Sequence, residues 1–153
     1  MFFFVFFFFA VILVLAAFAW IDWRSYQVPV WFVALAATVF GGWSVLLGRM
    51  NGPSLLMGIL FGVLVPLALF FLSKRRWIGS GDIWFGGLMG AILGFPRIVT
   101  GFWAAFLFGG LLAILLLLMK KKMPRPSRGA GLIPYIPLLA IGTIVGLFFN
   151  FSI

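Results

Sequence analysis

The sequence predicts an all-α, polytopic membrane protein with six transmembrane helices and both termini on the outer side. Three observations predict it. First, the 153-residue chain is 65% hydrophobic and only 8% charged, with a mean hydropathy of +1.29. Soluble domains are about half apolar and about a quarter charged, and a chain this short cannot hide so much apolar surface from water. Second, apolar runs near the length of a membrane crossing alternate with short polar loops. Third, the basic residues fall unevenly between alternate loops, which sets an orientation. An excess of eleven Lys and Arg over two acids also occurs in nucleic-acid-binding chains. Here long apolar runs separate the basic residues, so the partner they point to is the bilayer, and no nucleic acid is expected.

The first run is Phe2–Trp20, without a polar side chain. Ala17-Phe18-Ala19 has the small-x-small pattern of a signal-peptide cleavage site, but no positive charge precedes the run and it is too long for an h-region, so it reads as a retained span. The second run is Pro29–Gly48 and the third Leu55–Leu72, with Pro66 inside it as a candidate kink. The fourth, Ile83–Phe95, is too short to cross; extended back to Trp77 it takes Gly79, Ser80, Gly81 and Asp82 into the membrane edge. An interrupted span carrying an acid is where irregular backbone lines a watery cavity. The fifth run is Ile98–Met119 and the sixth Leu132–Phe149. Residues 1–153 read as one integral-membrane domain, with no separate soluble domain.

Arg24, Lys74, Arg75, Arg76, Lys120, Lys121, Lys122, Arg125 and Arg128 occupy loops one, three and five; Arg49 and Arg97 occupy loops two and four. The odd loops are therefore expected in the cytosol. Asp22 opens loop one and Asp82 follows loop three, so the chain's only two acids share one face. Asp22 alone reads as an interfacial helix-end residue. Asp82, in an apolar segment, is a functional candidate by default, and the pairing of the only acids on one face turns both toward function.

The chain has no Cys and no His, which excludes disulfides, thiolate metal sites, a cysteine nucleophile, zinc-protease chemistry and a Ser-His-Asp triad. Two carboxylates sharing one proton suffice for peptide hydrolysis: the ionised one takes a proton from water, and the protonated one hydrogen-bonds the scissile carbonyl. No metal or cofactor is needed. Gly79 and Gly81, beside Asp82, suit close approach of a helix or an extended substrate and permit positive φ. Small residues serve ordinary helix packing equally well.

With Asp22, the run Gly79-Ser80-Gly81-Asp82 resembles the Gly-x-Gly-Asp motif of the type IV prepilin peptidases, polytopic aspartic endopeptidases that share this motif with presenilin and signal peptide peptidase. Asp22-Trp23-Arg24-Ser25-Tyr26-Gln27-Val28-Pro29 is similar to the family's first motif. Lys120–Lys122 followed by Ile133-Pro134-Tyr135-Ile136-Pro137 is similar to its basic loop and Pro-rich entry to the last span. The resemblance covers residues from about Asp22 to Leu139. It implies that Asp22 and Asp82 are the catalytic pair, with Gly79, Gly81, Pro29, Pro134 and Pro137 shaping the site, although the prolines fit a plain helix-entry kink as well. It implies a pilin-like precursor as substrate, cleaved at a class III signal peptide on the cytosolic face of the inner membrane. Val30 and Trp84 depart from the family, which has Asn or Asp at the first and Lys at the second. The larger enzymes of the family add a cysteine-bearing methylating domain; this chain resembles the short, peptidase-only form. The rival expectations are a proton- or ion-coupled transporter and a catalytically degenerate membrane scaffold.

Overall fold

A computed structural model describes residues 2–25, 28–73, 79–118 and 136–148, among which there are six helices and no strand. They are α1 (Phe2–Ser25), α2 (Val30–Leu46), α3 (Gly52–Leu72), α4 (Ser80–Leu93), α5 (Arg97–Leu118) and α6 (Ile136–Phe148). Three stretches, Phe2–Arg24, Gly52–Leu72 and Arg97–Leu115, are long and apolar enough to cross a membrane; α2 and α6 are shorter apolar helices.

Each run anticipated in the sequence is a helix, with shifted ends. α1 continues through Asp22 to Ser25, because nothing in Ile21-Asp22-Trp23-Arg24 breaks a helix. Asp22 is therefore a helical residue rather than the first residue of a loop. α3 continues through Pro66 as one helix. α4 begins at Ser80, so the anticipated extension to Trp77 lies outside the described residues. At 1.5 Å per residue the 14 residues of α4 reach only about 21 Å, against about 30 Å of hydrocarbon.

α4 tolerates this shortness because it is the central helix. It contacts α2, α3, α5 and α6, and every residue from Phe85 to Leu93 is buried. Backbone surrounded by protein has no lipid to satisfy. The outer helices, by contrast, are apolar on all faces and bury one stripe. In α1 that stripe is Phe7, Val11, Leu15 and Phe18, while Phe3, Phe6, Phe9 and Leu13 are exposed, the pattern of a helix whose other faces meet lipid.

Two seams of glycine bring the helices together. Gly58 and Gly62 of α3 lie against Gly90 and Gly86 of α4, so a Cβ on any of them would overlap the opposing backbone. A Cβ on Gly142 of α6 would likewise overlap the Gly101 carbonyl of α5, whereas one on Gly101 would first meet the Met89 and Leu93 side chains. Association in lipid relies on such small-residue contacts, since apolar burial supplies little drive there.

The helix directions follow from ring contacts. Phe18 of α1 meets Phe85 of α4 edge-on at 6.1 Å, near the end of one and the start of the other. Phe8 of α1 stacks with Phe148 of α6 at 5.9 Å, the start of one against the end of the other. α4 and α6 thus run parallel to each other and antiparallel to α1. One end of the bundle collects the end of α1 and the starts of α2, α4 and α6; the opposite end collects the turns after α2 and α4.

Candidate active site

The first of these ends holds both acids of the chain. Asp22 is 7% exposed and Asp82 8% exposed, and the charge of Asp22 reaches Asp82. Burial of two like-charged groups within reach of each other is costly unless donors or protons compensate, and each acid has a helix N-terminus as its compensation.

Asp82 is the third residue of α4. Its Oδ2 accepts a hydrogen bond of 2.9 Å from the Gly79 backbone N–H, while the Asp82 N–H donates to the Gly79 carbonyl at 3.2 Å. This is a capping box with a backbone bond as its return half, because glycine has no side chain to complete it. The first-turn dipole of α4 adds attraction for the carboxylate. Asp22 is held from another side. The backbone N–H of Ile136, the first residue of α6, acts on its carboxyl as a hydrogen-bond donor, and this amide is one that the first turn of a helix leaves without an internal partner. Pro137, next in line, has no N–H to offer. The second oxygen of Asp22, Oδ2, is buried and makes no hydrogen bond. It is an acceptor placed in the interior with its capacity unused, which in a native protein asks for an explanation.

An aromatic pair lies beneath the acids. Phe18 is one turn before Asp22 and Phe85 one turn after Asp82, so each ring shares a helix face with its acid, and both are buried. Their edge-to-face contact fixes the spacing of α1 and α4 at the level of the carboxyl groups. Neither the rings nor the Ile136 amide was singled out in the sequence. The i−4 and i+3 spacing of the rings from the acids was the available signal.

The other expected site residues are placed as follows. Gly79 is the N-cap of α4 with φ −83° and ψ 161°, a conformation open to any residue, so positive φ is not its use. Gly81 is helical and a Cβ there would meet nothing within 4 Å; helix packing does not demand a glycine at this position. Pro29 is the N-cap of α2, and its carbonyl accepts from the Phe32 and Val33 amides. Pro137 is in the first turn of α6, adjacent to the Ile136 amide. Pro134 lies outside the described residues, as do Lys74, Arg75, Arg76 and the basic run 120–128. Val30 and Trp84 are exposed. Arg24 is in the last turn of α1. Trp20, Trp23, Trp31 and Trp84 are all exposed at this end, the distribution of an interfacial aromatic belt.

The family model of the type IV leader peptidase family matches residues 4–114. This stretch takes in Asp22, Asp82 and the first four helices, and ends within α5. No curated protein matches the chain, and no solved structure does.

Proposed function

The chain belongs to the type IV leader peptidase family, and from that premise we propose that it is a membrane aspartic endopeptidase that removes class III signal peptides from pilin-like precursors, with Asp22 and Asp82 as the catalytic pair. The observation that carries the assignment is the burial of the chain's only two acids at one end of the bundle, Asp82 in the first turn of α4 and Asp22, near the end of α1, beside the first amide of α6.

The pair shares one proton. In the attacking step the ionised carboxylate takes a proton from a water, whose oxygen bonds to the scissile carbonyl carbon. The protonated carboxyl hydrogen-bonds the carbonyl oxygen and passes its proton as the tetrahedral centre forms. Collapse breaks the C–N bond: the proton gained from water goes to the leaving amine, and one hydroxyl of the tetrahedral centre returns its proton to the other carboxylate, which restores the shared proton. One oxygen of each acid is tethered, Asp82 Oδ2 by Gly79 and Asp22 by Ile136, which leaves one oxygen apiece for this exchange. The unpartnered Asp22 Oδ2 suits the water or the shared proton. No cofactor or metal enters.

The open side of Gly81 leaves room for an extended peptide beside Asp82, and Pro29, Pro134 and Pro137 shape the entry. The charge of the odd loops assigns this end to the cytosol of an inner membrane, with six crossings and both termini outside. The whole chain acts as a single peptidase domain. A transporter needs acids along a route to the far side, and the two acids of this chain cluster at one end.

The test is cleavage of a pilin-like precursor by purified chain in lipid vesicles. Asp22→Asn and Asp82→Asn should each lower turnover about a thousandfold, with the protein folded in both. Wild-type cleavage by either variant would refute the pair. Loss in neither, together with processing by no form of the protein, would indicate a scaffold.

A further inference from the structure

The end of the bundle opposite the aspartates carries a second concentration of charge. A cavity of about 310 Å³ opens between the turn after α2 and the turn after α4, lined by Arg49, Asn51, Ser54, Phe95, Pro96 and Arg97 among others. The chain's side-chain carboxylates, Asp22 and Asp82, are at the other end, about 18 Å away along α4 by helical rise. The two arginines therefore line one cavity with no acidic side chain near it to pair with.

Arg49 is committed to the cavity. Its guanidinium lies over the rings of Phe7 and Phe8 at 4.5 and 5.0 Å, and its Nη1 is buried with no hydrogen-bond partner. Stacking holds the plane of the group and does not use that N–H donor. Burial, and then the charge of Arg97, pull the Arg49 guanidinium below its ordinary value, so the cationic form is kept at a cost that an anion would relieve. Arg97 is placed by a braced turn. The Ser54 hydroxyl donates to the Phe95 carbonyl at 2.6 Å, the Phe95 N–H donates to the Ser54 carbonyl at 3.0 Å, and Gly94 turns with φ +66°. Two long helices, α3 and α5, begin at this cavity, and the N-cap of α3, Asn51, makes no side-chain cap bond. Helix N-termini and paired guanidinium groups favour the same kind of ligand.

We propose that the Arg49–Arg97 cleft binds a phosphate-type anion, either as the phosphodiester of a lipid headgroup or as free phosphate. The site is independent of the peptidase assignment and faces the opposite side of the bundle.

Native mass spectrometry of the full chain in detergent tests this, with phosphatidylglycerol, inorganic phosphate and diacylglycerol as probes. One phosphatidylglycerol should be retained by the wild type and diacylglycerol should not. Arg97→Gln, which leaves the Arg49 stack intact, should weaken retention about tenfold, and Arg49→Gln with Arg97→Gln should abolish it. Circular dichroism of each variant checks that the helices persist. Displacement of the lipid by millimolar phosphate assigns recognition to the phosphate group alone. Arginine-dependent binding without such displacement assigns it to the lipid headgroup. Equal retention of phosphatidylglycerol by wild type and double variant, or no preference over diacylglycerol with no phosphate binding, overturns the proposal.

Discussion

Asp82 has two duties that are separable by substitution. Its Oδ2 caps the start of α4 through the Gly79 N–H, a structural role that any side-chain acceptor of the same shape fulfils. Asp82→Asn keeps that acceptor and should change stability by less than about 1 kcal/mol, while Asp82→Ala removes it and should cost about 1 kcal/mol or more. Denaturant unfolding in detergent measures both. If Asp82 works as a catalytic group, the two variants are equally inactive despite their different stabilities. Activity that tracks stability instead would reduce Asp82 to a cap. The Phe18–Phe85 contact makes a second prediction at this scale. Phe18→Leu keeps an apolar side chain but removes the ring edge that spaces α1 from α4, so turnover should fall about tenfold or more through loss of positioning, with the helical content unchanged by circular dichroism. The two acids stood out as candidates in the sequence because they are alone among 153 residues. What holds them was legible only in part: Gly79 beside Asp82 was marked, and the donor to Asp22 was not. The Ile136 amide is a backbone group from a helix over a hundred residues away in the chain, and nothing in its local sequence marks it as a donor to Asp22.

The elements that set these distances are held by their glycines, and the glycines are not equivalent. Gly62 and Gly86 sit where the backbones of α3 and α4 touch. Gly62→Ala and Gly86→Ala should each destabilise the protein by at least about 2 kcal/mol, because the opposing atoms are main chain and cannot swing aside. Gly81 has open space where a Cβ would go. Gly81→Ala should therefore be neutral or stabilising by up to about 1 kcal/mol, as expected of glycine replaced in a helix. A drop in precursor cleavage for the same variant would show that the space beside Asp82 is used by substrate. Thermal unfolding of the three variants, read beside their cleavage rates, separates packing glycines from a site glycine. The two kinds look alike in a chain with 19 glycines. The apolar runs located every helix centre, since hydropathy depends only on local composition. The brevity of α4 was already visible in the run Ile83–Phe95, which is too short to cross. Its enclosure by the other helices and the pairing of the glycines are tertiary facts, and its run of residues does not state them. The Arg49–Arg97 cleft escaped for the same reason, because its two arginines belong to different turns that meet only through the Ser54–Phe95 brace.

For the whole molecule, the decisive question is which way the bundle sits in the bilayer. The two ends differ in kind. One carries the acids and four exposed tryptophans, Trp20, Trp23, Trp31 and Trp84, whose rings favour the headgroup level. In the proposed arrangement the carboxyl groups lie near the interface, where water reaches them without crossing the hydrocarbon. The other end carries Arg49 and Arg97. Counting basic residues in the sequence, loops one, three and five outweigh loops two and four by nine to two, and the proposed orientation, with the acid end in the cytosol, rests on this bias. The chain has no cysteine, so single introduced thiols report without background. Ser80 is exposed beside Asp82, and Asn51 is exposed at the arginine end. In intact cells a membrane-impermeant maleimide should modify Asn51→Cys and leave Ser80→Cys untouched, and permeabilisation should make Ser80→Cys reactive. The reverse pattern would invert the orientation and move the proposed cleavage to the outer face. Equal reactivity of both from outside would contradict the helix directions themselves, because α3 and α4, packed along the Gly58–Gly90 and Gly62–Gly86 seam, begin at opposite ends of the bundle.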